Sequence, residues 1–236
     1  MCGIAAVIGD MPERGLVVKR MVGDLSHRGP DDYGLYEVPH NSLAMGMTRL
    51  KILDLDGGIQ PMTSRCGDYT IIYNGEIFNN EELRSNLSRQ YEFHTANSDT
   101  ETILAGYIIW GMCVVEKLNG MFAFIIYDGR ENKLLVARDR VGIKPLYYSM
   151  HGGAAGFSSE INALHNLPWR TDKISNQSIF DYFSLQVAGS LRTIFTEISE
   201  FPSGCYGEIN LTNKRLCITR YWDPDDYFSQ RITTLG

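Results

Sequence analysis

The chain begins MCGIAAVIG, residues 1–9, where a cysteine follows the initiator methionine and precedes a short apolar run. One interpretation is structural: residues 4–8 form a buried first strand, and Cys2 is a core residue. The other is chemical. Removal of Met1, which is usual before a small residue, gives Cys2 both a thiol and a free α-amine, and such an amine can serve as the base for a nucleophile. The ordinary pKa of an α-amine, about 7.7–8.0, suits it to acid or base work near neutral pH.

The bulk composition is that of an ordinary globular protein and argues against several functions. The 236 residues, 44% of them hydrophobic, suffice for one large core. A net charge of −6 without a basic run argues against binding to nucleic acid. No segment approaches the roughly 18 consecutive apolar residues of a membrane span, and no signal peptide is evident, so a cytoplasmic protein that binds no membrane is expected. The five cysteines are irregularly spaced and predict neither disulfides nor a metal site. No cofactor is expected.

Short β-rich runs and turns alternate with a few helical patterns. Strands are predicted at 4–8, 43–50, 69–73, 121–127, 134–137 and 146–149. Helices are predicted at 13–25, 81–87 and 99–110, the last opened by Ser98 and Glu101 in a capping-box spacing. Hairpin signals outnumber crossover units, which predicts an α+β fold with antiparallel sheets covered by helices. One domain is expected over residues 1–222, followed at 223–236 by a C-terminal tail or the start of a linker.

Two polar clusters have ordinary structural explanations when each is taken alone. The segment HRGPD at 27–31 has the composition of a turn. The segment RLKILD at 49–54 predicts an alternating strand on which Arg49 is exposed.

Two further clusters allow both a structural and a functional interpretation. Asn74-Gly75 follows a β-run and is a strong hairpin signal. The same pair can also form an oxyanion hole, with the Asn74 amide and the Gly75 backbone N–H as donors. Asp99 is either a carboxylate favoured in the first turn of a helix or a partner for a substrate ammonium.

The order and spacing of these motifs closely resemble those of the class II glutamine amidotransferase domain, and within it the asparagine synthetase type. The motifs that carry the resemblance are CGI at 2–4, HRGPD at 27–31, RL at 49–50, NGEI at 74–77, SDTE at 98–101, LNGMFAF at 118–124, RDRVGIKPLYY at 138–148, FSSEI at 157–161 and FPSG at 201–204. They extend over nearly the whole chain, to about residue 222.

The resemblance implies the four-layer αββα sandwich of N-terminal-nucleophile hydrolases, with two antiparallel sheets. It also implies hydrolysis of the side-chain amide of L-glutamine to glutamate and ammonia through a thioester on Cys2. Asn74 and Gly75 would hold the oxyanion. Arg49 would bind the substrate α-carboxylate, for which a guanidinium fork is suited.

The remaining assignments complete the implied site. Asp99 would bind the α-ammonium of glutamine, with Glu76 assisting. The runs 142–148 and 157–160 are interpreted mainly as scaffold. We do not expect His27 to be the general base, because the terminal amine already supplies one.

The chain departs from the asparagine synthetase pattern at two positions and in its extent. Relatives commonly have histidine in place of Met47 and serine in place of Lys51, and the second change adjoins the expected carboxylate site. Asparagine synthetases also contain an ATP-binding domain with a Ser-Gly-Gly type loop. The one glycine-rich stretch here, at 151–156, predicts a hairpin instead. We therefore expect an ammonia-consuming synthetase domain or subunit as partner, with an exposed apolar patch where it binds.

Two alternatives to this function remain. A non-catalytic module that senses glutamine or serves as a scaffold could have the same fold, and retention of Met1 would favour it. An N-terminal-nucleophile hydrolase acting on another amide is the second, although Arg49 with Asp99 favours a free amino acid as substrate.

Overall fold

The computed structural model describes residues 1–38, 43–50, 58–186 and 191–226, which form two six-stranded antiparallel sheets and several helices. The helices are α1 (Arg14–Asp24), α2 (Asn80–Leu87), α3 (Asp99–Trp110), α4 (Val114–Lys117), α5 (Ile161–Leu164) and α6 (Asn176–Leu185). The strands are β1 (Gly3–Ile8), β2 (Asp32–Val38), β3 (Leu43–Arg49), β4 (Met62–Thr63), β5 (Tyr69–Ile77), β6 (Gly120–Asp128), β7 (Lys133–Arg138), β8 (Tyr147–His151), β9 (Ala154–Ser158), β10 (Ser199–Glu200), β11 (Cys205–Asn210) and β12 (Leu216–Arg220).

Strand β1 lies in the middle of the first sheet, and β5 lies next to the edge of the second. The first sheet has the order β10-β8-β9-β1-β3-β2, so the N-terminal strand is flanked by β9 and β3. The second has the order β12-β11-β7-β6-β5-β4, so among the described residues only the two residues of β4 pair with the outer edge of β5. Within this part of the chain, most of that edge is free of strand pairing.

Three groups of buried apolar side chains separate four layers. The first group lies between the sheets and contains Ile4 and Met45 from one sheet and Ile72 from the other. The second packs the outer face of the second sheet against α3, and the third packs the outer face of the first sheet against α1 and α5. This is the predicted αββα sandwich. Each residue of β1 is buried because both faces of the strand are covered.

The predicted elements that lie within the described residues are present, and one predicted cap is wrong. The strand expected at 49–54 falls mostly outside the described residues. The helix expected at 99–110 has these bounds, but Ser98 makes no side-chain cap. The Glu101 carboxylate instead accepts hydrogen bonds from the backbone N–H groups of His94 and Thr95, each at 2.8 Å. A carboxylate in the first turn of a helix can bind any backbone N–H that the preceding loop brings close to it. Here the loop folds back far enough to bring the N–H groups of His94 and Thr95 to Glu101, in place of the N–H of Ser98 that a capping box would use.

The glycine-rich stretch 151–156 is the hairpin that was expected. His151 pairs with Ala154, and the two glycines between them, Gly152 and Gly153, have φ values of 54° and 81°. A two-residue turn with both φ values positive favours glycine. Within the described residues, no helix is both long enough and apolar enough to span a membrane.

Candidate active site

One end of the sandwich brings together the six residues that the sequence assigned to the site. Gly3 of β1 pairs with Thr48 of β3, so the residues just beyond them, Cys2 and Arg49, end up side by side. The second sheet contributes the end of β5. Cys2, Arg49, Asn74, Gly75, Glu76 and Asp99 all line one cavity of about 250 Å³. This lies below the roughly 300–1,000 Å³ of pockets for drug-sized molecules, so the cavity suits a smaller ligand.

The backbone at Cys2 is held by an arginine from the HRGPD segment. Arg28 Nε donates to the Cys2 carbonyl oxygen at 3.0 Å, and Arg28 Nη1 donates to Glu160 Oε1 at 2.7 Å. His27 Nε2 lies 3.0 Å from the same Glu160 oxygen and is absent from the cavity wall. The His27 ring is thus occupied with Glu160. Cys2 itself is half-buried, with Met1 beside it on the cavity wall.

The edge of β5 directs one backbone donor into the site. Alternate N–H groups of a strand point to opposite edges. The N–H of Tyr73 donates to Gln60 Oε1 at 2.6 Å, and the N–H of Ile77 donates to Asp99 Oδ2 at 3.3 Å, both away from β6. The N–H of Phe78, by contrast, donates towards the β6 side, to Asn119 O. Gly75 has the same parity as Tyr73 and Ile77, so its N–H points to the open edge.

Asn74 is a buried amide donor in the middle of a strand. The hairpin interpretation of Asn74-Gly75 is wrong, because both residues lie within β5 and pair with Ala123 and Phe122 of β6. Asn74 is 1% exposed, and its Nδ2 atom has no hydrogen-bond partner among the described residues. Buried polar groups are nearly always hydrogen-bonded, so the Asn74 amide is an exception that requires an explanation.

The backbone at Gly75 leaves no room for a side chain. A Cβ atom there would lie 2.3 Å from the carbonyl oxygen of Met121 and 2.8 Å from Phe122 Cα. These are backbone atoms of the neighbouring strand and cannot easily move. The close approach of β6 therefore requires glycine at this position.

Arg49 is a buried residue, and the prediction of an exposed strand arginine is wrong. It is 5% exposed, and its carbonyl oxygen accepts from the Asp31 N–H at 3.1 Å, which ties the HRGPD segment to the end of β3. Met47 is 1% exposed and packs in the core between the sheets, so this departure from the family pattern is a core substitution. Lys51 lies outside the described residues.

Asp99 stands at the start of α3 with its carboxylate facing the end of β5. Asp99 Oδ2 accepts from the Tyr73 hydroxyl at 2.8 Å as well as from the Ile77 N–H. Burial raises the pKa of this carboxyl above its ordinary value, and the two hydrogen bonds oppose that rise. Glu76 is exposed at the mouth of the same cavity.

The wall also contains residues that sequence reasoning did not assign to the site, among them Gln60, Tyr73 and Lys144. Lys144 is 6% exposed and belongs to the run interpreted as scaffold. Lysine is seldom buried in this way without a partner. The burial of Lys144 is the feature that singles it out within the motif GIKP, and only the structure makes that burial visible.

Among the described side chains of the cavity wall, the formal charges are balanced. Arg49 and Lys144 contribute two cations, and Glu76 and Asp99 contribute two anions. A wall of this kind suits a small zwitterion better than a purely anionic or cationic ligand. Among the described residues, no three His, Cys, Asp or Glu side chains are grouped as metal ligands.

Comparisons with known proteins bear on the family of this chain. The family profile described as "Glutamine amidotransferase domain" matches residues 1–222. Asparagine synthetase [glutamine-hydrolyzing] 3 of Bacillus subtilis (strain 168) is 36% identical over 231 residues, covering 95% of this chain and 37% of that protein. Asparagine synthetase [glutamine-hydrolyzing] 2 of the same organism is 34% identical over 236 residues, covering 96% and 31%. The chain thus spans about a third of the length of these relatives.

A solved structure shows the same fold at low sequence identity. It is the glutamine phosphoribosylpyrophosphate (PRPP) amidotransferase from B. subtilis complexed with ADP and GMP. The superposition has a TM-score of 0.68 at 20% identity and covers 94% of this chain and 49% of the other. This agreement concerns the fold, and it confirms the predicted sandwich.

Proposed function

The chain belongs to the glutamine amidotransferase domain family, in the class II group of the asparagine synthetase type, and we propose that it hydrolyses L-glutamine to glutamate and ammonia through a thioester on Cys2. The observation that supports this most directly is the convergence of all six predicted residues on one cavity. We further propose that residues 1–222 form the glutaminase domain and that 223–236 are a tail or the start of a linker.

In the first step, the Cys2 sulfur attacks the side-chain carbonyl carbon of glutamine. Removal of Met1 is required, because only then does the α-amine belong to Cys2 and take the thiol proton. The carbonyl oxygen becomes an oxyanion, and the Asn74 Nδ2 and the Gly75 N–H are the two donors available for it.

In the second step, the C–N bond breaks and the amine of Cys2 returns the proton to the leaving nitrogen, which departs as ammonia. A water molecule then attacks the thioester carbonyl, with the same amine as base. The S–C bond breaks, and glutamate and the free thiol are released. Each proton taken from a nucleophile is thus delivered to a leaving group.

The rest of the cavity recognises the amino-acid end of the substrate. Arg49, at the end of β3, binds the α-carboxylate, and Asp99, at the start of α3, binds the α-ammonium. Glu76 assists from the exposed side of the cavity. These groups give each charge of glutamine a partner of opposite sign.

The test is glutamate release from L-glutamine by the purified chain, with Cys2→Ala as control. Mass spectrometry of the same sample establishes whether Met1 has been removed. We expect release by the processed protein and none by the variant. Equal release by both proteins contradicts the role of Cys2. A processed protein that binds glutamine without hydrolysing it would instead support the alternative of a glutamine-sensing or scaffold module.

The proposed partner is a synthetase domain or subunit that consumes the ammonia. Helix α6 exposes a set of large apolar side chains whose exposed fractions run from 58% to 83%: Phe180, Tyr182, Phe183 and Leu185. A concentration of exposed large apolar side chains on one helix is typical of protein contact sites. The relatives contain about twice as much further chain as they share with this one, which favours a synthetase as the occupant.

Sedimentation of the chain at increasing concentration tests this assignment of α6. A monomer throughout agrees with a surface reserved for a different protein. A dimer that Phe183→Ser dissociates would assign the helix to a second copy instead. A cytoplasmic location is also part of the proposal, since all five cysteines are free thiols, as is usual in a reducing compartment.

A further inference from the structure

Tyr73 is tied to the residue proposed to bind the substrate ammonium. Its hydroxyl donates to Asp99 Oδ2 at 2.8 Å, and Tyr73 is only 3% exposed. The neighbouring Ile77 N–H ends on the same oxygen at 3.3 Å. A carboxylate has about four acceptor positions, so these two bonds fix the Asp99 side chain and still leave room for an ammonium.

A second tether fixes Tyr73 itself. Gln60 Oε1 accepts from the Tyr73 N–H at 2.6 Å, while Gln60 Nε2 donates to Thr100 Oγ1 at 3.1 Å. The strand β5 is therefore joined to the start of α3 by three connections: the Tyr73 hydroxyl, the Gln60 side chain and the Ile77 N–H. The bond from the Tyr73 hydroxyl ends on Asp99, and the bond from Gln60 ends on Thr100, the next residue along the chain.

From these contacts we infer that Tyr73 is a positioning residue, whose hydroxyl orients the Asp99 carboxylate for the α-ammonium of an amino-acid substrate. The inference rests on the proposed function for the identity of the substrate. It concerns binding, whereas the proposed function concerns turnover, so the two can fail separately.

The test measures binding of two ligands to the Cys2→Ala protein, which cannot turn them over. One ligand is L-glutamine, and the other is glutaramate, which is glutamine without its α-amine. Adding Tyr73→Phe should weaken glutamine binding about tenfold, the effect expected for loss of a hydrogen bond to a charged group. It should change glutaramate binding by less than about twofold, since that ligand makes no contact with Asp99.

The chain offers a matched control for the loss of a buried tyrosine hydroxyl. Tyr107 is 5% exposed and donates to Asp128 Oδ2 at 2.5 Å. Asp128 ends β6 seven residues from Met121 on the cavity wall, which is about 23 Å along a strand. Tyr107→Phe should lower the melting temperature and leave glutamine binding unchanged.

Two results would overturn the inference. One is an equal loss of binding for glutamine and glutaramate, which would make Tyr73 a general structural residue. The other is a loss caused by Tyr73→Phe that persists in full when Asp99→Asn is already present. If Tyr73 acts through Asp99, Tyr73→Phe should cause no further loss of glutamine binding in a protein that already contains Asp99→Asn.

Discussion

Replacing Asn74 by leucine should separate activity from stability. Asn74 is 1% exposed, and its Nδ2 has no hydrogen-bond partner in the free protein among the described residues. An unsatisfied buried donor costs about 1–3 kcal/mol, and leucine of similar shape removes that cost. In a chain of this size, 1 kcal/mol corresponds to roughly 2–4 °C in Tm. Asn74→Leu should therefore keep or raise the Tm. Loss of one oxyanion donor should lower kcat by about 10²–10³-fold.

Thermal unfolding and glutamate release on the same sample would measure both effects. Thr70→Val is the control, because Thr70 lies on the same strand and is fully buried, but its hydroxyl lies 3.0 Å from Thr63 Oγ1. This variant should lose about 1 kcal/mol of unfolding free energy and keep its kcat. The reasoning fails if Asn74→Leu lowers the Tm as Thr70→Val does, or if its kcat stays within tenfold of the parent value.

Three further changes test other parts of the wall. Lys144→Met removes a buried cation, so the melting temperature should stay the same or rise. We expect kcat/KM for glutamine to fall at least tenfold. A lower Tm with full activity would show that Lys144 is structural. Gly75→Ala brings a Cβ to 2.3 Å from Met121 O. It should lower the free energy of unfolding, measured by chemical denaturation, by about 1–3 kcal/mol, and it should also lower activity. An unchanged denaturation midpoint would contradict the close approach. Asp99→Asn should raise stability at pH 7, because burial raises the pKa of the folded carboxyl. Because the pKa of Asp99 is raised in the folded state, its protonation favours folding. The parent protein therefore gains stability as the pH falls towards 3.8, the ordinary pKa of the carboxyl in the unfolded chain, and the difference in Tm between parent and variant disappears there. A difference that grows at low pH would contradict the sign of the shift.

The sequence predicts best the elements that are strongly apolar. The strands at 4–8 and 69–73 stand out as short β-rich runs whose residues are all buried, and the helix at 99–110 stands out by its apolar stripe. Helix α6 was not predicted, since its apolar residues lie on all sides and only Ser178 is buried. Strand β2 was also missed, because its residues are at most half-buried and its pattern is weak. Local sequence contains little information on elements that the rest of the chain does not cover.

The site shows a similar division. The resemblance supplied Cys2, Arg49, Asn74 and Asp99, and their convergence then depends on strand register. Register brings Cys2 beside Arg49 and sets the direction of the Gly75 N–H, and neither follows from any single motif. Lys144, Gln60 and Tyr73 could not be assigned from the sequence, because they reach the cavity through loops and side-chain contacts whose course is a matter of tertiary packing.

Met1 connects the geometry of the cavity to its proposed chemistry. It is 56% exposed and lines the same cavity as Cys2, so its removal would both transfer the terminal amine to Cys2 and enlarge the space beside the thiol. The Cys2 carbonyl is held by Arg28, and Arg28 by Glu160, and neither bond involves Met1. The nucleophile can thus keep its place while its neighbour is removed. A fixed Cys2 backbone with a removable preceding residue is what a catalyst needs if its base is to be created by processing.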